Sequence, residues 1–171
     1  MSKLGGYRGG RPRMGGPRRT DSAIAHPDSD RRSAPIQRTK KRVLFVCIGN
    51  SCRSQMAEGF ARTYGDDILI AASAGVSPAS IVQSLTKQVL AERNVRIDSQ
   101  FPKGMEILAH QQFDLIVNMS GQKLPLAPGV LVRDWPVSDP IGQTEQVYRA
   151  VAEQIEGLVM RLILELRSST L

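Results

Sequence analysis

Four consecutive apolar residues, Val43-Leu44-Phe45-Val46, run directly into Cys47-Ile48-Gly49-Asn50-Ser51-Cys52-Arg53. An unbroken apolar run of this kind is the pattern of a parallel strand buried on both faces, not the alternation of a half-exposed one. A helical pattern follows at once: Met56, Phe60 and Ala61 fall at helical spacing within Gln55–Tyr64, and Gly65 supplies a stop. Strand, loop and helix in immediate succession put the loop at the carboxyl end of a sheet. Open parallel sheets bind their ligands there.

The remaining pattern extends the same architecture. Ile68–Ala72 reads as a strand; Ile81, Leu85, Val89 and Leu90 make an amphipathic helix, and Met105–Leu108 a shorter one. Phe113–Met119 is a second buried strand and Val130–Val132 a short further one. Val147, Val151, Ile155, Val159, Leu162 and Leu166 recur at intervals of three and four, which predicts a long helix over Glu145–Leu166 with one buried face. Strands alternating with helices predict an α/β sandwich with a parallel sheet, right-handed crossovers and helices on both faces.

Residues 1–41 belong to another regime. Gly, Pro and Arg recur there with almost no large apolar side chains to offset ordering entropy, so they are expected to form a disordered tail ahead of a folded domain over residues 42–171. This tail holds 11 Lys/Arg against 3 Asp/Glu and the rest of the chain 12 against 13, so the formal net charge of +7 is a property of the tail. The folded part carries no charge bias toward nucleic acid or anionic membranes. Tyr7-Arg8-Gly9-Gly10 is similar to segments that touch RNA loosely, which makes weak nucleic acid contact a reading for the tail. Arg18-Arg19 is no export signal, since no apolar segment follows it. With no apolar run long enough for a signal peptide or a membrane span, and only two cysteines, a thiol-reducing cytoplasm is the expected setting.

The spacing from Cys47 to Arg53 has its own logic. The intervening backbone can curl so that several N–H groups converge on one concavity, a nest for a tetrahedral oxyanion, with Ile48, Gly49, Asn50, Ser51, Cys52 and Ser54 as its walls. Gly49 is expected to ease the curl, and Asn50 tolerates left-handed angles. The following helix directs its positive end at the same point, and the same amides stabilise a Cys47 thiolate. Arg53 can present a planar fork to two oxygens of the anion. The Ser54 hydroxyl either donates to the Cys47 sulfur or caps the helix. Cys47 as a merely buried strand-end residue would leave Arg53 unexplained. A metal site needs more ligands than Cys47 and Cys52, and His26 and His110 lie far along the chain. A nucleotide loop would need Gly-Lys-Ser/Thr, which is absent. No cofactor is called for.

A thiolate that accepts a phosphoryl group needs an acid for the leaving oxygen and then a base for water. Asp134 and Asp139 stand in Arg133-Asp134-Trp135-Pro136-Val137-Ser138-Asp139-Pro140, after the last predicted strand and on the loop side of the sheet. Pro140 stiffens the backbone at Asp139.

At these residues the chain resembles the low-molecular-weight protein tyrosine phosphatase superfamily, which includes the thiol-dependent arsenate reductases. Cys47 through Glu58 matches the family loop and first helix, Ser73-Ala74-Gly75 the end of its second strand, and Asp139-Pro140 its acid loop; the likeness runs from residue 42 to about 167. It implies a four-stranded parallel sheet of flavodoxin-like topology, Cys47 as nucleophile, Arg53 as anion clamp and Asp139 as general acid. It further implies that Asn50 and Ser73 brace the loop and that Cys52 can form a reversible disulfide with Cys47. Gln55 and Trp135 look like the reductase branch, and Ile141-Gly142 stands where phosphatases commonly have tyrosines. Thioredoxin-linked reductases carry resolving cysteines downstream, whereas no cysteine follows Cys52 here. The expectation drawn from this balance is hydrolysis of a phosphomonoester, on a phosphorylated protein or a small molecule and with phosphotyrosine first, through a phosphocysteine. The alternatives are arsenate reduction with an external thiol or redoxin, and a non-catalytic phosphate sensor.

Overall fold

In the computed structural model the chain divides into two units, Met1–Ile36 and Gln37–Leu171. The structure describes Gly10 and residues 39–108 and 110–169. The expected disorder of residues 1–41 therefore falls almost wholly outside the described residues.

Strand β1 (Lys41–Cys47) lies inside a four-stranded parallel sheet of order β2-β1-β3-β4, with β2 at Leu69–Gly75, β3 at Leu115–Asn118 and β4 at Val132–Asp134. A four-stranded parallel sheet with helices is the α/β fold expected; among the described residues its α-helices pack on one face and a 3-10 helix on the other. Because β1 has a neighbour on each side and layers above and below, Val43, Phe45 and Cys47 face one cluster while Leu44 and Val46 face another. That double burial is the cause of the continuous apolar run. The strand takes in Lys41, ahead of the expected boundary at residue 42, because Lys41 pairs with Leu69 and its N–H donates to the Ile68 carbonyl at 2.9 Å.

The larger cluster joins the sheet to α1 (Arg53–Tyr64), α2 (Ser84–Ala91) and α3 (Glu145–Ser168). Helix α3 buries Tyr148, Val151, Ala152, Ile155, Val159, Leu162 and Ile163 along one stripe. Each fully buried Ile or Leu of that stripe contributes about 1.5–3 kcal/mol. On the opposite face, Leu44, Val46, Ala74, Ile116 and Leu124 pack with Met105 of a single 3-10 turn, Met105–Leu108, and with Phe113 and Leu126.

Several boundaries differ from the sequence pattern, with β2 running on to Gly75 and β3 confined to Leu115–Asn118. Helix α2 starts at Ser84, leaving Ile81 64% exposed, because the chain before it is held along the Cys47 loop: Gln83 N–H donates to the Ser51 carbonyl at 3.1 Å. Strand β4 begins at Val132, since the ladder to β3 pairs Val132, Arg133 and Asp134 with Ile116, Val117 and Asn118. Among the described residues no helix is long and apolar enough to cross a membrane.

Candidate active site

The loop from Cys47 to Arg53 joins the carboxyl end of β1 to the first turn of α1. Its carbonyls are turned outward and tied down. Cys47, Ile48, Gly49 and Ser51 accept hydrogen bonds from the N–H groups of Val76, Ser77, Ala79 and Gln83, at 2.9–3.1 Å. Among the described residues, none of the N–H groups from Ile48 to Cys52 donates to another protein group. Carbonyls out and amides free is the polarity an anion-binding nest requires.

The curl depends on Asn50, which takes φ +47°, the left-handed region expected to suit it; Gly49 is not in that region. Asn50 is held there by its own carboxamide. Its Nδ2 donates to Ser54 Oγ and Ser73 Oγ, both at 2.8 Å, and its Oδ1 accepts from Lys103 N at 2.8 Å and Gln55 Nε2 at 3.0 Å. Gly75, at the end of β2, passes so close that an added Cβ would lie 2.7 Å from the Ile48 carbonyl oxygen.

Cys47 is buried, with Sγ 3.0 Å from Ser54 Oγ. Ser54 lies inside the first turn of α1 and caps nothing: the N-cap is Cys52, without a side-chain capping bond. Of the two readings of Ser54, contact with the Cys47 sulfur is the one observed.

Arg53 is 5% exposed and ties three loops together. Its Nη1 donates to the carbonyls of Met119 at 2.7 Å and Val137 at 3.1 Å, and its Nη2 to Asp139 Oδ2 at 2.5 Å. Its buried Nε has no hydrogen-bond partner among the described residues. Asp139 is thus brought to the loop by the segment after β4, its other oxygen accepting from Ile141 N at 3.2 Å. Asp134 is not: its Oδ1 takes Asn118 Nδ2 at 2.8 Å, in a separate polar cluster with Ser120. Trp135 packs on Phe45 below the site, with ring centroids 5.9 Å apart.

Cys52 is also a buried free thiol, 3.5 Å from Tyr148 Oη. Burial pushes its pKa up, against hydrogen bonds from Thr86, Tyr148 and Ser51 that pull it down. Tyr148 is likewise pushed upward, by burial first and by Cys52 second.

Sequence reasoning missed several residues that surround the loop. Gln55 is fully buried and its Nε2 reaches the Asn50 and Phe101 carbonyls at 2.9 and 3.0 Å; Gln100 Nε2 in turn donates to Gln55 Oε1 at 2.6 Å. Glu58 is 1% exposed and accepts from Ser73 Oγ at 2.5 Å. A polar residue on the inner face of α1 was the available signal for Gln55 and Glu58. Nothing local marks Lys103 or Gln100.

A model described as low molecular weight phosphotyrosine protein phosphatase matches residues 42–170. Glutaredoxin arsenate reductase of Synechocystis sp. is 35% identical over 127 residues, which cover 72% of this chain and 96% of that protein. Arsenate reductase of Shouchella clausii is 35% identical over 133 residues, covering 72% and 95%. Among solved structures, an arsenate reductase in the phosphate binding state has a TM-score of 0.67 at 33% identity over 74% of this chain and 98% of its own. The YwlE arginine phosphatase from Geobacillus stearothermophilus has a TM-score of 0.64 at 26% identity over 75% and 94%. Matched along nearly all of its second unit, the chain is an enzyme of the low molecular weight phosphotyrosine protein phosphatase family, with arsenate reductases among its relatives.

Proposed function

We propose that this enzyme reduces arsenate, with Cys47 as nucleophile and an external thiol or redoxin as electron source. The free-amide nest suits any tetrahedral oxyanion, so its shape does not choose between phosphate and arsenate. The relatives supply the choice: proteins matched along nearly their full length are named arsenate reductases. Phosphomonoester hydrolysis, preferred from the sequence, draws its support from the family as a whole.

In this reading the Cys47 thiolate attacks arsenic, forming an S–As bond while an As–O bond breaks; Asp139 supplies a proton so that the oxygen leaves as water. Arg53 and the loop amides hold the remaining oxygens, and Asn50 and Ser73 brace the loop. An external thiol then attacks Cys47 Sγ. The S–As electron pair stays with arsenic, which leaves as arsenite, and a second thiol reduces the mixed disulfide. The donor is external because, apart from Cys52 in the same loop, the chain has no cysteine to carry the oxidation away from Cys47. The relative named for glutaredoxin favours that kind of donor. Such a cycle belongs in a thiol-reducing cytoplasm.

Cys52 enters as a redox partner. A Cys47 sulfenic acid formed by peroxide would condense with the Cys52 thiol, releasing water and sparing Cys47 from further oxidation. Unchanged recovery of a Cys52→Ser variant after peroxide and reductant removes that role. For the tail, weak nucleic acid contact is tested by deleting residues 1–41 and following salt-dependent binding.

The decisive assay runs arsenate and an aryl phosphate on one preparation. Arsenite release with glutathione, mycothiol or bacillithiol plus a redoxin supports reduction. Silence in every thiol combination alongside aryl phosphate turnover returns the enzyme to hydrolysis.

A further inference from the structure

We propose that the sheet face opposite α1, α2 and α3 carries a second ligand site, which takes a small organic cation: an amine or guanidinium on an apolar body. The site follows from the thin cover of that face. After α2 the chain reaches β3 through the single 3-10 turn Met105–Leu108, and it passes from β3 to β4 without a helix among the described residues. Pleating turns Leu44 of β1 and Ile116 of β3 to this side. A cavity of about 660 Å³ remains over them, walled also by Met105, Phe113, Leu126 and Leu131. Sites for small molecules have this size. Met105, Phe113 and Leu126 are only half-buried and Leu131 is 62% exposed, so the walls keep apolar area for a ligand to cover.

The polar groups of the cavity choose the ligand's charge. They are two acidic side chains, Glu106 and Asp114, and two carboxamides, Gln111 and Gln112; no Lys, Arg or His lines it among the described residues. The neighbouring cations are already committed. Lys41 Nζ pairs with Asp114 Oδ1 at 3.2 Å, and the Arg42 N–H donates to Asp114 Oδ2 at 2.8 Å. The Arg42 guanidinium lies over the Phe113 ring, with Nη2 donating to Gln111 Oε1 at 2.8 Å. Glu106 has no such partner among the described residues, its carboxyl group lying folded back over Gly104. An anion would meet like charge here, and a neutral apolar molecule would leave the acceptors of the rim unmatched. A cation with N–H donors answers both while its body covers the walls.

No residue from Cys47 to Ser54, nor Asp139, lines the cavity, so this site and the oxyanion nest are separate and can be filled together. Glu106 is exposed, which sets the scale of its effect: an ion pair at such a position carries a factor of about two to five.

The test titrates the full chain with naphthylmethylamine, naphthylmethanol and naphthoate, one apolar body carrying three charges, and follows the main-chain amide signals by NMR. The amine is expected to saturate with a Kd below about 1 mM and to shift the amides of Leu44, Phe113, Ile116 and Leu126. Its Kd is expected to stay within about twofold when inorganic phosphate fills the nest. The alcohol is expected to bind about two- to fivefold more weakly, and the naphthoate more weakly still. Glu106→Gln is expected to bring the amine to the alcohol's Kd. Leu126→Trp, which fills the cavity, is expected to weaken all three by about tenfold or more. Should Leu126→Trp fail to fold, Ala127→Phe narrows the same cavity from its exposed rim, with the same expectation. Equal Kd values for the three compounds overturn the proposal, as does the absence of saturable shifts or an amine preference that survives both Glu106→Gln and the filled cavity. Shifts centred on Cys47–Arg53 and removed by phosphate overturn it too, by assigning the amine to the nest.

Discussion

Arg53 and Asp139 hold one another at the mouth of the loop, Nη2 to Oδ2 at 2.5 Å, so the clamp and the acid of the proposed chemistry are each other's partners before an anion arrives. An oxyanion entering the nest competes with a carboxylate for the same guanidinium. Asp139→Asn is therefore expected to bind inorganic phosphate or arsenate more tightly, by about three- to tenfold, as the like charge is removed. Turnover is expected to fall about a hundredfold or more through loss of the acid. Calorimetric phosphate titration and steady-state kinetics on one preparation check both, and weaker phosphate binding would contradict the competition.

Cys47→Ser separates binding from chemistry. The nest is made of main-chain N–H groups and Arg53, none of which the substitution touches, while the hydroxyl is a poor nucleophile at neutral pH. Arsenate reduction and aryl phosphate hydrolysis are both expected to vanish, with phosphate affinity within about threefold of the parent. Residual turnover above background would remove Cys47 from the nucleophile's role.

Gly75 tests how tightly β2 abuts the loop. A Cβ there would meet the Ile48 carbonyl oxygen at 2.7 Å and the Asn50 N and Cβ at 3.0 Å, and both belong to a loop fixed on its far side. Gly75→Ala is expected to cost about 1–3 kcal/mol in urea unfolding and to weaken phosphate protection of Cys47. Retention of both would show that the loop can shift.

Asp114 gives the acid limb of stability a local source. The Arg42 N–H at 2.8 Å holds its carboxylate below the ordinary aspartate range, aided by Lys41 and opposed by desolvation. A depressed folded value means that the stabilisation is present above the unfolded value and is lost as pH falls through the folded one. Asp114→Asn should therefore be less stable than the parent at about pH 7, with the gap closing toward about pH 3. Urea midpoints at the two pH values measure it; a gap that persists in acid would assign the loss to packing.

The legible part of the fold was the part written in contiguous residues. The run Val43–Val46 announced a central strand because both of its faces are buried, and Cys47-x5-Arg53 announced the nest because one turn of chain builds it. Asp139 was legible because it follows the last predicted strand on the loop side of the sheet. Lys103 was invisible: it arrives 45 residues after Glu58, on a loop whose sequence carries no period, and only the close of β2 brings it in. The start of α2 was misjudged for a related reason, since the periodicity at Ile81 was overruled by main-chain bonds to the loop. The left-handed tolerance expected of Asn50 is used, its carboxamide holding φ +47° through four partners, whereas Gly49 stays outside the left-handed region.

The segment from Val76 to Gln83 is hydrogen-bonded to the loop through main-chain N–H groups, and Val76 and Ile81 present their side chains to solvent beside it. Attachment and lettering are thereby independent along this splint. The rim of the cleft can be rewritten residue by residue for a new substrate while the amides beneath keep their aim, so a family built this way can diversify what it admits without relearning how to hold an oxyanion.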